Sequence, residues 1–137
     1  MIYAFLSALS AALVAIFAKL GLDRVEPILA TTVRSLIMSG FLVIVSLLLK
    51  KFQGFSLNSF SSRDWLLIFL AGISGALSWL FYFFALKLGL ASKVAAVDRL
   101  SIIFVIGLAA LFLGEAIGWK IAVGAFLMAL GAVLITL

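Results

Sequence analysis

Five long apolar stretches alternate with the charged residues of this chain. The uncharged stretches are residues 1–18, 35–49, 65–86, 100–114 and 121–137. A helix needs about 20 residues to cross a bilayer, and such helices commonly extend past their charged ends. The pattern therefore predicts five transmembrane helices, at about 2–21, 27–49, 64–88, 92–113 and 117–137. We expect an all-α, polytopic membrane protein with a single domain over residues 1–137.

Local signals indicate where these helices begin and end. Pro27 follows a charged segment and fits the first turn of span 2, where a missing N–H costs no hydrogen bond. Residues 61–65, Ser-Ser-Arg-Asp-Trp, supply an N-cap for span 3. The motif Lys-Leu-Gly-Leu occurs at 19–22 and again at 87–90, and Lys followed by Gly is a helix-stop signal. The motif occurs twice either because two helices independently use the same capping signal or because the sequence contains an internal duplication.

The loop charges do not define an orientation in the membrane. All loops except 50–64 are short, so consecutive helices are antiparallel neighbours. We call the membrane face that holds residue 1 side A and the opposite face side B. Side A carries Lys50, Lys51, Arg63 and Lys120, and side B carries Lys19, Arg24, Lys87 and Lys93. Since Lys/Arg bias in short loops sets orientation, two interpretations stay open. Either the chain inserts in one orientation that is favoured by a small margin, or it inserts in both orientations and two copies pair as an antiparallel homodimer.

Composition excludes several classes of protein. The chain is 67% hydrophobic and 11% charged, whereas soluble domains have about 25% charged residues. It contains no His and no Cys, so no Ser-His-Asp triad, no disulfide and no metal or haem site of the usual kind is expected. We therefore expect no enzyme and no cofactor. The net charge of +5 comes from scattered cations, which suit anionic lipid headgroups better than nucleic acid.

Three charged residues, Arg34, Asp98 and Arg99, lie well inside the predicted spans, away from their ends. Charges within a bilayer are costly and mark functional sites by default. Arg34 in span 2 and Asp98 in span 4 both lie about 10 Å below side B, so they are able to pair across helices. Arg99 is turned about 100° away from Asp98 and faces an aqueous cavity or snorkels. These residues line a substrate pathway, or they form an ion pair that only fixes helix register.

Other residues are weaker candidates. Trp79 and Tyr82 share a face of span 3, where they either face lipid or form the wall of a binding pocket. Glu115 ends span 4 near side A, either as an interfacial residue or, like Asp98, as a carboxylate that carries a proton. Small residues in span 5 favour close helix packing or a subunit contact, namely Gly124, Ala125 and Gly131.

Several segments of the chain, taken together, resemble a known family. They are 18–22 (Ala-Lys-Leu-Gly-Leu), 63–65 (Arg-Asp-Trp), 85–95 (Ala-Leu-Lys-Leu-Gly-Leu-Ala-Ser-Lys-Val-Ala) and 111–115 (Leu-Phe-Leu-Gly-Glu), with Arg34, Gly124 and Gly131. On these residues the whole chain resembles an EamA domain of the drug/metabolite transporter superfamily. Most members carry two five-helix units in tandem. This chain resembles one unit alone, the short bacterial or archaeal type.

The resemblance implies one half of a ten-helix inverted-repeat fold. Because the unit has an odd number of spans, a second copy completes that plan only in the inverted orientation. The family thus implies a homodimeric secondary transporter of the inner membrane, working by alternating access with its site between subunits. Family members usually carry a Pro where residues 96–99 read Ala-Val-Asp-Arg, so a Pro-induced kink in span 4 is not predicted.

Three functions fit these observations. The first is transport of a small polar metabolite, of the amino acid or organic anion class, because the embedded charges are net positive. The second is a small multidrug-type cation exporter, but such relatives use a Glu in their first helix, and residues 1–18 contain no acid. The third is a non-transporting membrane subunit that pairs with a different half.

Overall fold

The computed structural model describes residues 1–54, 56 and 60–137, and all regular elements in this part of the chain are helices. The described residues form six helices: α1 Ile2–Gly21, α2 Pro27–Leu48, α3 Ser62–Leu88, α4 Ala91–Asp98, α5 Ser101–Leu113 and α6 Trp119–Thr136. Helices α4 and α5 together form one apolar span, Ala91–Leu113. The predicted all-α protein with five membrane-spanning helices is therefore confirmed, and helix ends lie within two residues of the predicted ones.

Apolar side chains are mostly exposed. Large residues on every span are more than half exposed, among them Phe5, Phe41, Phe69, Phe104 and Phe126. In water, so large an apolar surface would drive aggregation. In hydrocarbon it is the stable arrangement, because lipid tails solvate these side chains as well as other helices do.

Helix ends follow the local chemistry of the sequence. Pro27 occupies the first turn of α2. At the start of α3, the Asp64 N–H donates to Ser61 Oγ at 3.2 Å, while the Ser61 N–H donates to Asp64 Oδ2 at 2.9 Å. This reciprocal pair is a capping box that satisfies two otherwise unpaired N–H groups. Helix α5 ends where Gly114 adopts a left-handed conformation with φ 67°, which only glycine adopts without strain.

The fourth span is interrupted after its first 8 residues, although the sequence predicts one continuous helix over 92–113. After Asp98 the backbone tightens: the Leu100 N–H donates to Val97 O at 2.9 Å, and the Ile103 N–H donates to Leu100 O at 3.0 Å. Such i→i−3 bonds are typical of a 3₁₀ turn. Asp98 and Ser101 flank the turn, and both residue types compete with helical hydrogen bonds through their side chains. The span is thus broken without a proline.

The described residues divide into two compact units. Unit 1 comprises Met1–Lys19 and Leu88–Leu137, and in it α4 packs against α6. Lys93 Nζ donates to the Thr136 carbonyl oxygen at 2.7 Å, which places a cation at the C-terminal end of α6. Lys19 Nζ donates to the Gly89 carbonyl oxygen at 2.8 Å.

Unit 2 comprises Leu20–Lys87 and contains α2 and α3 as an antiparallel pair. Lys87 Nζ donates to the Val25 carbonyl oxygen at 2.9 Å. Leu22, Phe83 and Leu86 are buried. In both Lys-Leu-Gly-Leu segments, therefore, the lysine bonds a carbonyl in or beside the other segment, and the motif does more than end its own helix.

Candidate substrate site

Arg34 of α2 lies over the ring of Trp79 of α3. The distance from Arg34 Cζ to the ring centroid is 3.7 Å, and the Phe83 ring is 5.8 Å away. A guanidinium at this distance is attracted by the negative face of an indole, by about 2 kcal/mol where water is excluded. This cation–π contact holds an embedded charge without neutralising it. Within unit 2, the N–H groups of Arg34 donate to no described residue.

Trp79 belongs to an aromatic cluster on α3. It meets Tyr82 edge to face, with centroids 5.6 Å apart, and Phe83 likewise, at 5.9 Å. Phe83 is buried, whereas Trp79 and Tyr82 are half-buried. These edge-to-face contacts fix the Trp79 ring, and the ring in turn positions the Arg34 guanidinium. The structure thus brings together three predicted site residues, Arg34, Trp79 and Tyr82, and adds Phe83, which sequence reasoning missed.

An open groove of about 580 Å³ extends from the Arg34–Trp79 contact between α2 and α3. Its lining from α2 includes three serines, at positions 35, 39 and 46. Beyond Trp79, its lining from α3 consists of small residues, Ala71, Gly72, Gly75 and Ala76. A Cβ placed on Gly72 or Gly75 would meet no atom within 4 Å. The groove exists because α3 presents so little side-chain volume there.

The serines of the groove differ in their hydrogen bonding. Ser35 Oγ donates to the Thr31 carbonyl oxygen of its own helix at 2.8 Å. The hydroxyls of Ser39 and Ser46 have no hydrogen-bond partner among the residues that the structure describes. The groove therefore offers one cation and two unoccupied hydroxyls in a largely apolar wall. Spacing of the serines on one helical face was a signal from which sequence reasoning could have found them.

The other charged candidates lie in unit 1. Asp98 is the last residue of α4 and is half-buried, and Arg99 is exposed in the turn that breaks the fourth span. Because Arg34 belongs to unit 2, its pairing with Asp98 stays a prediction. Glu115 is exposed in the segment after α5, and its backbone N–H donates to the Ala109 carbonyl oxygen at 3.3 Å.

Comparison with known proteins decides the family. The model of the EamA-like transporter family matches residues 1–137, the whole chain. The chain belongs to the EamA-like transporter family. A Sinorhizobium sp. protein named "Uncharacterized transporter in cobO 3'region" is 38% identical over 133 residues, covering 97% of this chain and 93% of that protein. No solved structure matches the chain significantly. The near-equal lengths fit the short, single-unit form of the family.

Family membership gives the geometry a context. A multi-pass membrane protein of a transporter family holds an embedded cation beside an open groove.

Among the small residues of α6, Ala125 and Gly131 are half-buried, whereas Gly124 is exposed. A Cβ on Gly124 or Gly131 would meet nothing within 4 Å, so space for a close neighbour remains beside both glycines.

Proposed function

We propose that this EamA-like transporter moves a small polar metabolite, of the amino acid or organic anion class, by secondary transport across the inner membrane. The observation that carries the proposal is the Arg34–Trp79 contact at the end of the groove. Arg34 lies about 10 Å along α2 from its start. An embedded cation that no described side chain of its unit neutralises attracts anionic groups and repels cations, which disfavours a multidrug-type cation exporter.

The proposed pathway also uses residues of unit 1. Asp98 and Arg99 stand at the break in the fourth span, and transporter sites are often built where a membrane helix is interrupted. The two charges at this break favour binding of a polar solute there. In unit 2, Trp79 and Tyr82 would provide an aromatic wall for the solute. Asp98, or Glu115 nearer side A, would carry the coupling proton.

We propose that the working unit is an antiparallel homodimer that operates by alternating access. Five spans place the two chain ends on opposite sides of the membrane, so only an inverted second copy completes an inverted repeat. The equal division of loop cations between the two sides is compatible with insertion in both orientations. The free space beside Gly124 and Gly131 supports α6 as a subunit contact.

Reconstitution into liposomes tests this function. Uptake of a set of labelled amino acids and organic anions is measured with and without an imposed proton gradient. Arg34→Gln and Asp98→Asn should each reduce uptake at least ten-fold, whereas Arg63→Gln, which removes an exposed charge outside the groove, should not. If both variants move solute as the natural protein does, the embedded charges are structural. If the well-folded natural protein moves none of these solutes, the transport proposal is wrong.

A further inference from the structure

We propose that the groove between α2 and α3 is a binding site for short hydroxylated monocarboxylates. The carboxylate would bind Arg34, and the hydroxyl groups of the solute would bind Ser39 and Ser46. This inference rests on the proposed transport function for its role, but the binding site itself is argued from unit 2 alone. It narrows the substrate class to hydroxy acids, and it sets amino acids aside.

The charge of the groove selects a single anionic group. Among the described residues that line the groove, Arg34 is the one charged residue and none carries a carboxylate. One face of the guanidinium is occupied by Trp79, which leaves the in-plane N–H groups for a carboxylate. That edge matches both oxygens of a carboxylate at once. The ammonium group of an amino acid would find no counter-ion in the groove, and an unpaired charge in a largely apolar site is costly.

The hydroxyls of the groove select polar groups on the solute. A second groove, of about 470 Å³, lies along the same two helices and is lined by Thr31, Thr32 and Ser35. There each hydroxyl donates to a backbone carbonyl of its own helix, at 2.7 to 2.9 Å. Ser39 and Ser46 make no such bond with the described residues. Their hydroxyls are therefore available to a ligand, and the second groove provides a matched control.

The length of the groove sets the size of the solute. Arg34 and Ser39 are separated by about 8 Å along the helix axis, and Arg34 and Ser46 by about 18 Å. A three-carbon hydroxy acid bound to Arg34 reaches Ser39, and only a longer chain reaches Ser46 as well. Ser39 is thus the residue whose hydroxyl should distinguish glycerate from propionate, a carboxylate of the same carbon count without hydroxyls.

Fluorescence of Trp79 reports binding directly, because the ring contacts Arg34. Trp65→Phe with Trp119→Phe leaves Trp79 as the only tryptophan. The purified protein, in phosphatidylcholine nanodiscs, is titrated with glycerate, propionate, glycerol and serine. Glycerate should change the emission and bind at least ten-fold more tightly than glycerol or serine. Arg34→Gln should weaken the binding of glycerate at least ten-fold, because a charge-assisted hydrogen bond is lost.

The serine substitution separates a binding role from a structural one. Ser39→Ala should weaken the binding of glycerate about 2- to 12-fold, which is the effect of losing one neutral hydrogen bond. It should leave the affinity for propionate unchanged. Thr32→Val, in the second groove, should affect neither. Equal binding of glycerate, glycerol and serine would overturn the proposal, as would equal effects of Ser39→Ala on glycerate and propionate. So would displacement of glycerate by phosphatidylglycerol in the nanodisc at low mole fraction, because that outcome assigns the groove to a lipid.

Failure of this inference differs from failure of the transport function. If liposomes take up serine in an Arg34-dependent manner while glycerate neither binds nor moves, the hydroxy acid assignment is wrong and the transport proposal stands. If glycerate binds as expected and no solute moves, the groove is a binding site and the transport proposal is wrong.

Discussion

Filling the groove should raise the stability of the protein while lowering its activity. Gly75 lies in the interior of α3 and lines the groove, and a Cβ added there would meet no atom within 4 Å. Glycine inside a helix is less stable than alanine by about 0.5–1 kcal/mol, because it loses more backbone freedom on folding. With no clash to offset this gain, Gly75→Ala should stabilise the protein by about that amount.

The expected shift is measurable by thermal denaturation in detergent. A gain of about 1 kcal/mol corresponds to a rise in Tm of roughly 3–5 °C for a chain of this size. Gly75→Leu gains similar helix propensity but projects a large side chain into the space beside Trp79. We expect it to keep the raised Tm and to reduce solute uptake in liposomes at least ten-fold, since the groove is no longer open.

Gly40 supplies the matched control. It lies in the interior of α2, a Cβ there also meets nothing within 4 Å, and it does not line the groove. Gly40→Ala and Gly40→Leu should therefore raise Tm by a similar amount without reducing uptake. The reasoning is refuted if Gly75→Leu transports normally, since an open groove is then not required. A fall in Tm for Gly75→Ala would refute the stability argument.

Three further predictions concern features outside the groove: two hydrogen bonds and the orientation of the chain. Lys93→Met removes the hydrogen bond to the Thr136 carbonyl at the end of α6. It should lower the free energy of unfolding by about 1–2 kcal/mol, measured as a lower Tm, and the control Lys120→Met should lower it less. Ser61→Ala removes the N-cap of α3 and should lower the free energy of unfolding by about 1 kcal/mol in the same assay, with Ser62→Ala as the control. Paired reporters fused after Leu137, one active on each side of the membrane, should both give signal; a single signal excludes dual insertion.

The spans of this protein could be predicted because hydropathy and helix length dominate inside a bilayer. Backbone groups in lipid must bond within a helix, so a long apolar run has almost no alternative structure. Helix ends were predictable for a related reason: Pro27 and the Ser61–Asp64 pair act on backbone groups within one turn. The break after Asp98 was not predictable from hydropathy, because Ala91–Leu113 has a mean hydropathy of 2.2 in its most apolar window and no proline.

The partner of Arg34 shows where sequence reasoning ends. Depth alone suggested Asp98, since each residue lies about 10 Å from the start of its span. Trp79 lies about 14 Å before the end of α3, a depth that the Arg34 side chain also reaches. Several residues share a depth, and only the rotation of each helix about its axis decides which of them meet. That rotation depends on tertiary packing, which hydropathy does not encode.

Polar contacts supply much of that missing information. Between helices in lipid no hydrophobic driving force distinguishes one rotation from another, so hydrogen bonds and small-residue packing decide it. In this chain Lys19, Lys87 and Lys93 each bond a carbonyl that is at least 43 residues away in sequence. All three are loop cations of side B, where they also count toward orientation. Orientation is set during insertion, whereas these bonds form on folding. The same lysines thus count toward orientation as loop cations and hold each unit together as hydrogen-bond donors, whereas Arg34 donates to no described carbonyl of its unit.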